Sequence, residues 1–351
     1  MSIPSTQKAL AILTKQGPWS IITVPVDTPG PGEVLVRVEA TALNPVDHKV
    51  QSTGRYVTDY PGILGTDTAG VVVAVGEGVT NVAVGDRVVH QGYFTNRLAS
   101  FKQFTISPVE TVAKIPKKIS FDQAASLPVG LGAAFVGLYG KQEDGGGADL
   151  VAPWKEGGRG KYANSPLVLF GGSTSVGQYV IQLAKLSGFS PIIATVSPRN
   201  YDLVKSLGAT HTIDRSLPVE DIFSAVKAIT SAPIKIVYDT VAAAPTQNLG
   251  YDLVSPGGAL VLVLPSIVDE TKITSDKVIV RTFGTVHIPL NKELGIGMYG
   301  ALPKYLESGE IKPNNTEVIP GGLAAIPEGL ERLKNNQVSA IKLIAHPQET
   351  K

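Results

Sequence analysis

Hydrophobic and polar positions change rhythm twice along this chain. Up to about residue 125, short apolar runs stand between Gly and Pro turns. Val34-Leu-Val-Arg-Val-Glu-Ala40 alternates after the turn Thr28-Pro-Gly-Pro-Gly32, and Val71-Val-Val-Ala-Val75 and Asp86-Arg-Val-Val89 are each bounded by Gly. This texture predicts short strands in a β-rich barrel or sandwich. From about residue 129 the pattern becomes strand, then helix, then strand. Leu167-Val-Leu-Phe170 is an apolar strand, and Val176, Val180, Leu183 and Ala184 share one helical face behind it. Ile192–Val196 is the next strand, Tyr201–Leu207 the next helix, and Ile234–Tyr238 and Ala259–Leu264 are buried strands. Strands alternating with helices predict parallel βαβ units. After about residue 290 the elements are mixed, ending in the strand-like Ala340–Ala345.

Between the two textures, Lys141–Asn164 carries Gly145-Gly-Gly147 and Gly157-Gly-Arg-Gly160 without any periodicity. It reads as a flexible insertion, either a lid or a disordered loop. The length of 351 residues suggests about two domains. With 31 basic and 30 acidic residues, nothing points to a nucleic-acid surface. The absence of Cys excludes disulfides, thiolate nucleophiles and Cys-ligated zinc or iron–sulfur sites. No signal-like start and no membrane-length apolar run is evident, so the expected location is cytoplasmic, with no membrane partner.

The chemistry starts at Leu167-Val-Leu-Phe-Gly-Gly-Ser-Thr-Ser-Val-Gly177. Gly172-x-Thr174-x-x-Gly177 fits G-x-G-x-x-G except that Thr holds the middle place, and it lies between a strand and a periodic helix. In such a turn the backbone meets a pyrophosphate, and the helix N-terminus presents N–H groups and the positive end of its dipole. The alternative is an ordinary tight βα turn. At the end of the second strand an NAD site usually places an acid for the ribose 2′-OH. Here the segment is Thr195-Val-Ser-Pro-Arg-Asn200. Ser197, Arg199 and Asn200 suit a 2′-phosphate, which a carboxylate would repel, so the expected cofactor is NADP(H). Ser197-Pro198 also reads simply as a helix opening.

Taken in order, these segments resemble the medium-chain dehydrogenase/reductase superfamily over nearly the whole chain. Asn44-Pro-Val-Asp-His-Lys49 is similar to the N-P-x-D segment of the zinc-free members. Pro61-Gly-Ile-Leu-Gly-Thr-Asp-Thr-Ala-Gly70, Val75-Gly76, Val84-Gly-Asp-Arg-Val88 and Ser255-Pro-Gly-Gly258 follow the family's series. The resemblance implies a GroES-like β-rich barrel domain at 1–128 and 291–351, and a Rossmann doubly wound parallel-sheet domain at 129–290. Zinc alcohol dehydrogenases place Cys near 44 and His-Glu near 66–67, where this chain has Asn44, Thr66 and Asp67. The five His are scattered without ligand spacing, so no metal is expected. The branches most similar are quinone oxidoreductases and fungal trans-acting enoyl reductases. Their motifs imply cofactor contacts at Asn44, Val46, Asp47, Lys49, Ser173, Thr174, Ser175, Val176, Gly177, Ser197, Arg199, Asn200, Tyr201 and Leu264. Arg215 stands where that group usually has Tyr, and it either reaches the 2′-phosphate or is solvated. Leu127-Pro-Val-Gly-Leu-Gly-Ala-Ala134 resembles the substrate wall, which implies Val129, Gly130, Leu131, Gly132 and Ala133 there.

Without a metal, the implied reaction is hydride transfer to an electron-poor carbon, followed by a proton. Tyr56, also a substrate contact, resembles the acid of mitochondrial-type enoyl reductases. Lys49 resembles the lysine of the fungal group. An NADPH-dependent reductase of activated C=C bonds is the first expectation. A quinone reductase and a non-catalytic NADPH-binding relative stand beside it. The partner is a small molecule, and the chain is expected to be a monomer or a homodimer.

Overall fold

The computed structural model describes residues 3–351. The chain forms two compact units. The first comprises residues up to Val129 with Tyr299–Gly309 and Pro313–Lys351; the second comprises Gly130–Met298 with Glu310–Lys312. The second crossing therefore falls at 298/299, later than the 290/291 expected from sequence.

In the first unit the strands are β1 (Thr6–Ile12), β2 (Trp19–Pro25), β3 (Glu33–Ala42), β4 (Gly62–Ile63), β5 (Asp67–Val75), β6 (Arg87–Gln91), β7 (Phe104–Pro108) and β8 (Val112–Lys114). The helices α1 (Pro45–Thr53) and α2 (Phe121–Ala125) belong here, and α3 (Pro128–Tyr139) begins here. The long sheet runs β15-β16-β3-β5-β6-β8 with β7 also on β3, and a small sheet runs β2-β1-β4; β15 is Asn315–Val318 and β16 is Ile341–Ala345. β3 is where the expected alternation meets the structure: Val34, Leu35, Val36 and Val38 are all buried, because both of its faces are covered. A core of Leu10, Leu43, Leu64, Phe101 and Leu343 lies among β1, α1 and β16.

The second unit holds β9 (Leu167–Phe170), α4 (Ser175–Ser187), β10 (Ile192–Val196), α5 (Tyr201–Leu207), β11 (His211–Asp214), α6 (Val219–Ile229), β12 (Ile236–Asp239), α7 (Ala244–Leu253), β13 (Ala259–Leu262) and β14 (Val278–Arg281). Its six strands are parallel, in the order β11-β10-β9-β12-β13-β14. This is the doubly wound Rossmann arrangement, and the register aligns Phe170, Thr195 and Asp239 at one edge. Two further helices are α8 (Pro289–Ser308), which passes from the second unit into the first, and α9 (Ile326–Lys334) in the first.

The structure corrects one reading outright. The 141–164 segment is a packed loop. Trp154 meets Phe135 and Tyr139 edge-on, at centroid distances of 6.1 and 5.3 Å. The Asp144 carboxylate accepts from the Arg281 guanidinium at 3.0 and 2.7 Å, and Tyr162 stacks on Phe189 at 5.0 Å. Three of its glycines serve close packing: a side chain on Gly146, Gly147 or Gly158 would come within 2.1, 2.0 or 1.9 Å of a carbonyl oxygen. Phe121–Tyr139 is long and apolar enough to cross a membrane by composition, and most of it is buried in the fold.

Candidate functional site

The parallel sheet of the second unit builds a cradle at the carboxyl ends of its strands, where ligands bind in such sheets. β9 ends in Gly171, whose φ of +84° is left-handed, and the chain turns into α4. A side chain on Gly177 would lie 2.3 Å from the Gly171 carbonyl oxygen, so helix and turn approach as closely as backbone allows. Thr174 is the N-cap of α4. Its Oγ1 accepts from the Gly177 N–H at 2.9 Å and lies 2.9 Å from the Thr240 hydroxyl, which donates to the Phe170 carbonyl at 2.8 Å. This explains the threonine in the glycine motif: its hydroxyl closes the helix end and faces the β9–β12 framework. Thr174→Ala should cost about 1 kcal/mol of stability in urea titrations, and Thr174→Ser should recover most of it. Ser173, Ser175 and Val176 are half-buried around the turn, and Ser175 Oγ would be 2.4 Å from a side-chain carbon on Gly130. The turn leaves no carbon to spare, and it fits a dinucleotide pyrophosphate over a 13-residue helix.

Beyond β10, Ser197 leads into one turn of 3₁₀ helix (Pro198–Asn200), and Tyr201 opens α5. Ser197, Asn200 and Tyr201 are half-buried, whereas Arg199 and Arg215 are exposed. Arg215 follows β11 directly, and its N–H donates to the Val196 carbonyl at 3.3 Å. The acid at the end of β11, Asp214, accepts from the Ser216 N–H at 2.9 Å and the Ser216 hydroxyl at 2.8 Å. Those two hydrogen bonds hold its carboxyl below the usual range. Leu264 lies two residues past β13, half-buried.

The first unit holds a different centre. Asn44 caps α1, and its N–H donates to the Asp47 carboxylate at 2.8 Å. Its side-chain Nδ2 donates to Asp67 Oδ2 at 2.8 Å, and its Oδ1 accepts from the Lys342 ammonium. Lys342 also pairs with Asp67 Oδ2 at 3.0 Å. Asp67 Oδ1 accepts from the Val129 N–H at 2.7 Å, at the start of α3. Thr41 donates to the Asp67 carbonyl at 2.8 Å. All four side chains, Asn44, Asp47, Asp67 and Lys342, are buried. Burial pushes the Asp47 carboxyl up to about 7, with the Asn44 N–H bond opposing and the Asp67 charge adding to the rise. Tyr299, buried beside them, has its phenol pushed far up by burial and by Asp67.

Lys49 is exposed on α1, and Val46 is half-buried against the core of this unit. Tyr56 follows the left-handed C-cap Gly54, has φ of +66°, is 50% exposed, and stacks on Phe94 at 5.2 Å and 20°. On α3, Leu131 and Gly132 are buried, and the Ala133 carbonyl accepts from the Tyr238 hydroxyl at 2.7 Å. The structure thus joins Asn44 to Asp47 and Val129 to Asp67, and sets Gly130 against Ser175. It commits the Asn44 amide to Asp67 and Lys342. Sequence reasoning missed the role of Asp67, Lys342, Tyr299 and Thr240; only Asp67 carried a signal, as part of the Pro61–Gly70 motif. Among the described residues, no three His, Asp or Glu side chains come together as a group that could hold a metal ion.

Comparisons with known proteins agree with this geometry. Residues 30–117 match the alcohol dehydrogenase GroES-like domain, and residues 175–282 match the zinc-binding dehydrogenase family. The chain is 30% identical to the trans-enoyl reductase grgB of Penicillium sp, covering 97% of this chain and 98% of that protein. It is also 30% identical to the enoyl reductase component lovC of lovastatin nonaketide synthase from Aspergillus terreus, over 89% of this chain and 88% of that one. Among solved structures, a quinone oxidoreductase from Pseudomonas syringae pv. Tomato DC3000 is 25% identical with a TM-score of 0.73, covering 96% of this chain and 99% of that one.

Proposed function

The chain belongs to the medium-chain dehydrogenase/reductase superfamily, whose members are oxidoreductases using nicotinamide cofactors on small molecules, and from that premise we propose that it is a zinc-independent, NADPH-dependent reductase of activated C=C bonds. The observation that carries the cofactor choice is the end of β10. Ser197 and Arg199 stand there without a carboxylate, Arg215 flanks them, and Asp214 is engaged by Ser216. The C=C substrate class follows the trans-enoyl reductases, which this chain resembles along nearly its full length. Zinc independence follows from Asn44 and Thr66 standing where zinc members have ligands, and from the lack of any Cys.

When bound, NADPH supplies the hydride. The protein's part is to hold and exclude. The Gly171–Gly177 turn and the start of α4 take the pyrophosphate, with Ser173, Ser175 and Val176 around it. Ser197, Arg199, Asn200 and Tyr201 take the 2′-phosphate side, and Leu264 supplies an apolar wall. In the first unit, Lys49 and Tyr56 are the groups able to deliver a proton to the substrate carbon, with Val46 on the cofactor side and Val129 on the substrate side. The reading places the protein in the cytoplasm, as a monomer or homodimer without nucleic-acid or membrane partners.

A quinone reductase is the second reading, favoured by the Pseudomonas syringae structure. The test is NADPH oxidation against a panel of enones, enoyl thioesters and quinones, with NADH as control. Turnover of enones or thioesters with NADPH alone is the expected result. Quinone turnover alone puts the second reading first, and equal use of NADH removes the argument from Ser197 and Arg199.

A further inference from the structure

Folding alone gives little reason for Lys342. Taking an ammonium and a carboxylate out of water costs solvation energy that their pairing only roughly repays, and an apolar pair in the same space is often as stable. Lys342 nevertheless sits buried in β16, between the exposed Ile341 and the buried Leu343 and opposite Thr316 of β15. Its value lies in what it touches.

The Asn44 amide has two ways to face. With Oδ1 on the ammonium and Nδ2 on the Asp67 carboxylate, both ends are complementary. Reversed, a donor would face the cation and an acceptor the anion. The charged pair therefore permits one orientation of the side chain of Asn44, the N-cap residue of α1, whose backbone carbonyl accepts from the Asp47 N–H at 3.0 Å. The same Asp67 carboxylate holds, through its other oxygen, the Val129 N–H at 2.7 Å, in the first turn of α3. One ion pair thus fixes the opening turns of two helices. The first carries Lys49 less than two turns on, and the second starts the segment that resembles the substrate wall.

We propose that Lys342 and Asp67 are positioning residues for the reduction: they set the Asn44 amide and thereby fix α1, with Lys49, against the first turn of α3. The proposal rests on the reductase reading above. Neither residue is asked to touch substrate or cofactor; both act through Asn44 and Val129.

The test uses the full chain with Lys342→Met, which keeps length and removes charge, and Lys342→Arg, which restores charge. Two readouts are taken: amide hydrogen exchange by peptide, and the kinetic constants with NADPH. For Lys342→Met, exchange should quicken about tenfold in peptides spanning 44–50 and 127–133, with the parallel-sheet peptides unchanged. Its kcat should fall about tenfold or more, with KM for the acceptor moving by about threefold at most. Lys342→Arg should recover part of both. Unchanged exchange in either peptide overturns the proposal, as does an unchanged kcat in a variant that merely melts earlier. If the wild-type protein reduces no acceptor, the reductase reading fails, and exchange alone still decides whether the pair holds the two helices. Should Lys342→Met not fold, Asp67→Asn carries the same expectations.

Discussion

Replacing Asp47 by Asn should stabilise the protein at pH 8 by as much as ~4 kcal/mol, and should do progressively less as the pH is lowered. The Asp47 carboxyl is completely buried, and burial raises it from 3.8 to about 7. Asp67 adds to the rise, while the Asn44 N–H and Lys342 oppose it. Below the unfolded value, both states carry the proton and its contribution is fully present. Between the two values the folded protein keeps a proton that the unfolded chain releases, so each pH unit costs about 1.4 kcal/mol. Above about 7 the contribution is gone, because the carboxylate is then ionised in a place without water. Asn is neutral throughout and still offers an oxygen to the Asn44 N–H. Urea titrations of both proteins at pH 5 and pH 8 measure the gap. A gap that does not widen with pH would mean that Asp47 is ionised in the fold at both.

Removing Arg199 should weaken NADPH binding about 10- to 100-fold and leave NADH binding unchanged, the size expected for losing a charge-assisted contact to a phosphate. Arg199 is exposed, so Arg199→Ala should leave the fold intact. Arg215→Ala, tested beside it, separates the two roles open to that residue: a second loss confined to NADPH puts it on the 2′-phosphate, and no change leaves it solvated. Dissociation constants from the quenching of protein fluorescence decide both. If NADPH and NADH weaken together, Arg199 does not read the phosphate.

The Rossmann strands were legible because a buried parallel strand needs a short apolar run and nothing else. Leu167–Phe170 and Ile192–Val196 fall where expected, and so does the helix Tyr201–Leu207. The 141–164 loop was misread for a physical reason. Glycine signals freedom in sequence, but it also permits backbones to touch, as Gly147 and Gly158 do. Thr174 was legible as part of the turn but not as its cap, since a hydroxyl that binds a phosphate and one that binds a helix N–H look alike. Lys342 was hidden most completely. Ala340–Ala345 reads as a strand, but nothing in it marks the cation Lys342 as buried or Ile341 as 41% exposed. What meets Lys342 there is a partner 275 positions earlier in the chain, Asp67, and no local pattern records it.

That distance has a consequence for how the protein comes into being. Asn44 and Lys342 are 298 positions apart, and β16 joins β3 through Ile344 and Ala42. As the chain emerges from the ribosome, Asn44, Asp47 and Asp67 are delivered early. Their cation arrives only after the entire second unit has been made. Until then α1 and β5 carry two acids that cannot be enclosed cheaply, and closing so wide a loop is slow. The last strand thus closes the centre: until β16 is in place, Asp67 and the Asn44 amide lack the ammonium they pair with in the folded protein.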